Sequence, residues 1–408
     1  MDVDESPEEA AFRAEARAFL EQPHVVQLAR HAAMRRGEDE VEWAERAKTW
    51  QGFLADAGWA CITWPAAYGG RGGSPAQAAI FAEECARIGG SVNAFAVGIA
   101  MAGPTIIAHG SDAQRERFLP PMLRGEEVWC QLFSEPGAGS DLAGLSTRAV
   151  RDGDAWVVNG QKVWTSGAHY ADWGILLART DLDAPKHRGI TYFLLDMHAD
   201  GVEVRPLRQM TGDARFSEVF FSDVAVPHAH VLGEVNAGWG VAMTTLANER
   251  TFMGGSGRAL GAAELVELAR ERGAAEDPVV RQGLAAAHIR AEIARYTNMR
   301  IRTLTSQRLP PGPTASVAKL AAAWNLKRNG ELALAIQGAA GALSGEGAPV
   351  GGAWQQSFLS APSIRIAGGS DEIQRNVIGE RVLGLPAEPR VDKDVPFREL
   401  ARSHEEAP

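Results

Sequence analysis

Hydrophobic and polar positions follow a helical period in the first third of the chain. Apolar residues recur every three or four positions, with charged residues between them, over residues 8–21 and 40–58. A further helix is expected after Asp112, which can act as its N-cap, and the proline pair at 120–121 is expected to end it. We therefore predict an N-terminal helical domain over residues 1–127.

Near residue 128 the pattern changes to short runs rich in β-branched and aromatic residues, broken by Gly, Asp and Pro. Residues 174–179 and 190–195 are continuous apolar runs with the length of buried strands. Another run, residues 155–158, is expected to end in a turn at the Asn-Gly pair 159–160. These features predict a central β domain over residues 128–238.

Helical spacing returns at residue 239 and continues to about residue 388, where a proline-rich, charged tail, 389–408, is expected to begin. The helical segments are separated by breaks rich in Gly and Pro. They are expected at residues 241–271, 279–304, 315–342 and 371–383. The order of helices, strands and helices predicts an α+β protein rather than an alternating βαβ fold.

Composition narrows the function classes. The chain has 408 residues, of which 45% are hydrophobic, enough for a large core, and it contains no apolar run long enough to span a membrane. The acidic N-terminus lacks the apolar segment of a secretory signal.

The cysteines and the net charge exclude further classes of site. Cys61, Cys85 and Cys130 form no CxxC pair, which argues against disulfides or a thiolate metal site and favours a reducing cytoplasm. A net charge of −10 argues against a nucleic-acid surface.

The first segment with candidate chemistry is residues 131–141 (QLFSEPGAGSD). Its glycines allow close approach to a ligand, and its loop amides can donate to a phosphate or a ring carbonyl. A plain glycine turn explains these residues equally well. The segment is neither a GxGxxG fingerprint nor a Walker loop.

The second segment is residues 159–167 (NGQKVWTSG). Trp164 offers a stacking face, and the hydroxyls of Thr165 and Ser166 could bind a flavin. A core tryptophan with surface hydroxyls is the simpler interpretation of this segment alone.

Four motifs in their family order make the chain resemble the acyl-CoA dehydrogenases. They are residues 133–144 (FSEPGAGSDLAG), 159–166 (NGQKVWTS), 216–227 (FSEVFFSDVAVP) and 368–376 (GGSDEIQRN). The resemblance implies N-terminal helices, a central β domain and a C-terminal four-helix bundle. It also implies FAD as cofactor, an acyl-CoA substrate and a homodimer or homotetramer.

The resemblance also assigns roles to individual residues. Ser134 and Ser166 would hydrogen-bond the isoalloxazine ring, Trp164 would cover one face of it, and Ser140 would also lie near the CoA portion of the substrate. The FAD-binding residues implied in this way are Gln131, Phe133, Ser134, Gly139, Ser140, Trp164, Thr165, Ser166, Gly369, Ser370 and Glu372.

The implied reaction removes an α-proton from a thioester while the β-hydride passes to flavin N5. A buried carboxylate suits the proton step, because burial raises its pKa. Many family members carry this base where the present chain has Gly368. A branch that includes isovaleryl-CoA dehydrogenases carries it in a Glu-Arg pair on an earlier helix, which Glu249 and Arg250 match.

We therefore expect Glu249 to be the base and Arg250 to order the active site or the substrate. Without the family context, an exposed carboxylate and an ordinary salt bridge would be the simpler interpretation. Asp371 and Glu372 are expected to be first-turn charges that the helix dipole favours.

The chain departs from the family pattern in its C-terminal half. Ala335 replaces a frequent Gln, the glycine run is thinned at 338–341, and residues 271–281 replace an Arg-x-x-Phe-Gly segment that reaches a neighbouring subunit's FAD. The leading hypothesis is acyl-CoA dehydrogenation with electrons passed to an electron-transfer flavoprotein. The alternatives are an oxygen-using oxidase or monooxygenase of the same fold and a non-catalytic partner subunit of a heteromer. The acyl group is not fixed by the sequence.

Overall fold

A computed structural model describes residues 5–34, 38–91, 95–253, 260–306, 312–389 and 392–400, without the side chains of residues 250–253, 302, 305, 306 and 346. The chain divides into two compact units. One unit joins residues 5–252 to the C-terminal segment that starts at residue 388, and the other comprises residues 253–387. In the described part of the chain, no helix has the length and apolarity needed to cross a membrane.

Helices make up the N-terminal part of the first unit. They are α1 Pro7–Leu20, α2 Pro23–Ala32, α3 Glu40–Asp56, α4 Pro75–Arg87, α5 Gly103–His109, which continues a π-helix at Val97–Ala102, and α6 Asp112–Arg124. Aromatic residues fill the core between α1, α3 and α4, where the rings of Trp59 and Phe81 stack with centroids 4.9 Å apart.

The expected start and end of α6 are wrong. Ser111, not Asp112, is the N-cap, because its hydroxyl accepts from the Gln114 amide while the Gln114 side chain accepts from the Ser111 amide. The helix also continues through the prolines to Gly125, whose φ of +70° ends it. Buried Phe118 and Met122 lie on either side of the proline pair, and their packing outweighs the lost backbone hydrogen bonds.

One seven-stranded sheet, with neighbouring strands in the order β1-β4-β2-β3-β7-β6 and β5 on β4, forms the central domain. Its strands are β1 Trp129–Leu132, β2 Arg148–Asp152, β3 Ala155–Ser166, β4 Trp173–Arg179, β5 Ile190–Asp196, β6 Val202–Leu207 and β7 Phe216–Pro227. β4 is buried along its whole length, as its apolar run indicates.

The turn expected at the Asn-Gly pair is wrong, because β3 runs through it as a bulge. Asn159 Nδ2 donates to Asp223 Oδ1 on β7 at 2.9 Å. Gly160 has a φ of +151°, and a Cβ there would lie 2.6 Å from Thr147 Oγ1. Glycine is therefore required at position 160 because Thr147, on another part of the chain, packs against it, and not because the strand turns there.

Helices return after the sheet and confirm the predicted order of helices, strands and helices. They are α7 Gly238–Met253, α8 Ala262–Glu271, α9 Pro278–Ser306, α10 Thr314–Gln337, α11 Ala353–Ile366 and α12 Asp371–Arg381. Two expectations are wrong: the extended backbone of Gly261 separates α7 from α8, and α10 ends at Gln337, because the next residue, Gly338, has a φ of +56°. α11 was not expected, and its Trp354 is fully buried in the core of the second unit.

Candidate active site

A buried ion pair fixes the loop that follows β1. Lys162 Nζ on β3 lies 2.7 Å from Glu135 Oε1 and donates to the Phe133 carbonyl at 3.0 Å. Glu135 also accepts the backbone amides of Ser146 and Thr147 at 2.6 and 2.9 Å. Lys162 is fully buried and Glu135 nearly so. The loop is therefore held by charge and backbone contacts that solvent does not screen.

The two charges shift each other's protonation. Burial lowers the pKa of Lys162 to about 8, although Glu135 opposes this shift. Burial alone would raise the pKa of Glu135, but the charge and hydrogen bond of Lys162, with help from Thr147 and Ser146, lower it below its ordinary value. Both groups are thus held as a pair around the loop.

The same loop is joined to β3 beside Trp164. The Val163 amide donates to the Ser134 carbonyl at 2.9 Å. Ser134 and Gln131 are half-buried, whereas Gly139 and Ser140 are exposed and a Cβ at Gly139 would meet no atom within 4 Å. Ser134 therefore lies next to the strand that carries Trp164, at the edge of an open glycine loop.

A second bulge turns Trp164 outward. Its φ is +61°, and the register between β3 and β7 shifts at residues 162–165. The indole is 61% exposed, with its ring edge-on to Phe216 at 6.1 Å. Ser166 is exposed as well. Left-handed backbone at a bulky residue costs about 1 kcal/mol or more, so the rest of the sheet must impose this conformation.

Two of the implied FAD residues have side chains that point into the core. Thr165 is 1% exposed and pairs in register with Ser217, and neither hydroxyl has a hydrogen-bond partner among the described residues. Phe133 is 4% exposed and packs edge-on against Tyr192 at 5.9 Å. The structure therefore leaves Trp164 and Ser166 exposed and Ser134 half-buried, whereas these two side chains are buried.

α7 carries Glu249 on the continuation of its inward face. Val241, Ala242 and Thr245 are buried, and Glu249, one turn after Thr245, is half-buried. Its neighbour Arg250 belongs to the same helix, but its side chain lies outside the described residues.

Hydrogen bonds and ring contacts connect this helix face to the loop after β1. Thr245 Oγ1 lies 3.0 Å from both Tyr192 Oη and Thr105 Oγ1. Tyr192 in turn packs against Phe133, the residue before Ser134. The helix turn that precedes Glu249 is thus fixed to the residues next to the Ser134 loop.

In the second unit, the glycine turn before α12 has its carbonyls occupied. Lys319 Nζ donates to the Gly369 carbonyl at 2.6 Å, and Gln374 Nε2 donates to those of Gly368 and Gly369 at 3.0 and 3.2 Å. Gly369 has a φ of +91°, and Ser370 caps the helix by accepting from the Ile373 amide. The turn is therefore held in one conformation.

Asp371 and Glu372 lie in the first turn of α12, as the sequence indicates. Asp371 is buried and pairs with Arg365 at 2.7 Å, whereas the Glu372 side chain is 74% exposed and lies 3.4 Å from Arg375. Only Asp371 therefore contributes to the packing of this unit.

The sequence did not indicate the supporting residues Lys162, Glu135, Tyr192, Thr245 and Lys319. The available signal was a charged residue inside a buried strand: Lys162 interrupts an otherwise apolar and aromatic run, and such a charge needs a partner. Its partner, 27 residues away, could not be chosen from spacing.

Three family models match the chain along its length. They describe the acyl-CoA dehydrogenase N-terminal domain at residues 6–126, the middle domain at 130–224 and the C-terminal domain at 236–383.

Individual relatives agree with the family models. Acyl-CoA dehydrogenase IpdE1 of Mycolicibacterium smegmatis is 41% identical over 92% of this chain and 98% of its own length. Acyl-CoA dehydrogenase FadE34 of Mycobacterium tuberculosis is 45% identical over 82% of this chain, but this match spans only 45% of FadE34. The solved structure named Tcur3481-Tcur3483 steroid ACAD is 32% identical with a TM-score of 0.80, covering 95% of this chain and all of that one. The chain therefore belongs to the acyl-CoA dehydrogenase family of FAD-dependent oxidoreductases.

Proposed function

We propose that this chain catalyses the α,β-dehydrogenation of an acyl-CoA thioester with Glu249 as the base that accepts the α-proton. The observation that carries this proposal is the position of Glu249 on the inward face of α7, one turn beyond the Thr245 hydroxyl that bonds Tyr192. A half-buried carboxylate on a fixed helix keeps its direction, which suits a group that must accept a proton at one atom of the substrate. Arg250 is proposed to order the substrate or active site.

The residues of the β domain fit FAD. Trp164 presents an exposed indole on a backbone conformation that is unfavourable unless it serves a contact, and Ser166 offers an exposed hydroxyl two residues on. Ser134 and the open loop around Gly139 complete this set, and we assign the ring contacts to Ser134, Trp164 and Ser166. When bound, FAD supplies the hydride acceptor.

The remaining FAD contacts are proposed from the family resemblance rather than from the exposure of the side chains. Phe133 and Thr165 are proposed to help only through their backbone, because their side chains are buried. Gln131 and Ser140 remain proposed FAD contacts in the β domain. In the second unit the proposed contacts are Gly369, Ser370 and Glu372, and the Glu372 side chain is exposed to solvent.

Replacing Trp164 by Ala is expected to weaken FAD binding by up to about tenfold, because the loss of an aromatic stacking partner is of that order. The denaturation midpoint of the apoprotein should stay unchanged, since the indole is largely exposed. Titrating apoprotein with FAD by flavin fluorescence measures the effect. Met210→Ala, at a side chain that is 62% exposed, is the matched control, and equal affinity in the two variants would contradict the assignment.

The function itself is tested by anaerobic titration of the purified protein with a panel of acyl-CoAs. We expect bleaching of the yellow flavin by at least one of them. The panel should include steroid-derived acyl-CoAs, because the similar solved structure bears the name of a steroid ACAD. In the oxidative half-reaction, we expect an electron-transfer flavoprotein to reoxidise the reduced flavin and oxygen to reoxidise it only slowly. Fast reoxidation by oxygen would instead favour an oxidase or monooxygenase.

A heteromeric assembly is a second proposal, because the similar solved structure combines two protein names. The thinned glycines at 338–341 and the missing Arg-x-x-Phe-Gly segment agree with an FAD site completed by a related chain. Expression of the chain alone gives a direct test. A yellow homomer would reject the need for a partner, and a colourless protein that gains FAD on addition of a related subunit would support it.

A further inference from the structure

The C-terminal segment returns to the β domain and packs against the loop between β4 and β5, residues 180–189. The Phe397 amide donates to the Ala184 carbonyl and the Arg398 amide to the Leu182 carbonyl, both at 3.1 Å. Pro396 forms a bridge with Pro185. Paired backbone contacts of this kind fix the register of the segment on the loop.

One lysine of that loop joins the segment to the proposed CoA site. Lys186 Nζ lies 2.8 Å from Asp141 Oδ2 and 2.5 Å from Asp392 Oδ2, and the lysine is 9% exposed. Asp141 directly follows Ser140. An ammonium group has three donors, so Lys186 can hold both carboxylates at once.

A second connection runs through Arg179, at the end of β4. Its guanidinium lies 3.7 Å from the ring centroid of Phe397, which is 8% exposed. The same guanidinium donates to the carbonyls of Ala143 at 2.6 Å and Leu145 at 3.3 Å, just after Asp141. Phe397 thus covers a cation that holds the chain immediately beyond the Ser140 loop.

We propose that residues 392–397 form a C-terminal strap that positions the Ser140 loop for the CoA portion of the substrate, with Asp392, Phe397 and Lys186 as positioning residues. This inference rests on the proposed role of Ser140. The strap acts on the loop at two points. Lys186 binds Asp141, just before the turn at 142–144, and Arg179 binds the carbonyl of Ala143 within that turn. Loosening the strap therefore allows the loop to shift without unfolding the β domain.

The test uses Asp392→Asn, with Asp394→Asn as its control. Asp394 is exposed on the same segment, and its substitution changes the charge by the same amount. Asp392→Asn is expected to weaken binding of coenzyme A itself, measured by calorimetry, by up to about fivefold, the upper limit for a partly exposed ion pair. Phe397→Leu, which retains an apolar side chain but removes the ring, is expected to act in the same direction.

A kinetic comparison separates positioning from general damage. With the acyl group that bleaches the parent best, the KM for the acyl-CoA should rise in Asp392→Asn. The rate with the N-acetylcysteamine thioester of the same acyl group, which lacks the nucleotide, should stay at the parent value. Equal losses with both thioesters, or CoA binding equal to that of Asp394→Asn, would overturn the strap. A parent whose flavin is bleached by none of the acyl-CoAs would instead overturn the proposed function.

Discussion

Replacing Glu249 by Gln is expected to slow anaerobic bleaching of the flavin by acyl-CoA by at least about 10²-fold, the usual contribution of a general base. Gln has nearly the shape of Glu but cannot accept the α-proton at a carboxylate oxygen. FAD should remain bound, because the proposed FAD contacts lie on the β domain and the glycine turn rather than on α7. Stopped-flow absorbance under excess substrate measures the rate.

Two controls give this prediction its specificity. Glu234→Gln removes the same charge from an exposed position just before α7 and should bleach at the parent rate. Glu249→Asp keeps a carboxylate at a shorter reach and should recover part of the activity. Exchange of the substrate α-proton in deuterated water, followed by mass spectrometry, isolates the proton step and should fall with bleaching in Glu249→Gln. Parent-like bleaching in that variant would show that another group is the base.

Helices and strands with strong periodicity were predictable from the sequence, but most of their ends were not. The start of α6 is an exception: Ser111 and Asp112 are both good N-caps, but only Ser111 has a Gln three residues later with which to form a capping box. The Asn-Gly pair at 159–160 is a true local turn signal. It is overruled by Asp223 and Thr147, which lie on other parts of the chain. Tertiary contacts decide between local conformations of similar energy.

In the candidate site, too, the sequence predicted the segments but not the orientation of their side chains. The motifs identified the loop of Ser134 and the strand of Trp164, because these residue types occur in a long, ordered pattern. Which side chains point outward was not predictable, since the bulge at 162–165 changes the alternation of β3 and buries Thr165. The contact of Phe397 with Arg179 was even less predictable, because the two residues are separated in the sequence by the whole second unit.

Replacing Lys162 by Met is expected to lower the free energy of unfolding by about 3–5 kcal/mol, the usual cost of leaving a buried charge without its partner. Met fills a similar volume, so the loss comes mainly from Glu135, whose carboxylate is buried with no other cation bonded to it among the described residues. The Phe133 carbonyl also loses its donor. Urea denaturation at neutral pH measures the loss. Lys48→Met, which breaks an exposed pair with Glu45, should change stability by less than about 1 kcal/mol.

The pH dependence of this loss identifies its cause. In the parent, the lowered pKa of Glu135 stabilises the fold above the ordinary pKa of a carboxyl group, and this stabilisation is lost as the pH falls through the lowered value. Without Lys162, burial dominates and raises the pKa of Glu135 above its ordinary value. The folded variant then binds more protons than the unfolded chain, so its stability falls as the pH rises through that range.

The deficit of Lys162→Met relative to the parent should therefore widen from acidic to neutral pH. The double variant Glu135→Gln with Lys162→Met should recover part of the loss, because it removes the unpaired charge while the single amide oxygen of Gln still accepts from one of the two amides, Ser146 or Thr147. A deficit that is independent of pH, and that the double variant does not reduce, would mean that cavity or packing effects at position 162 dominate. The charge pair would then not be what holds the Ser134 loop beside Trp164.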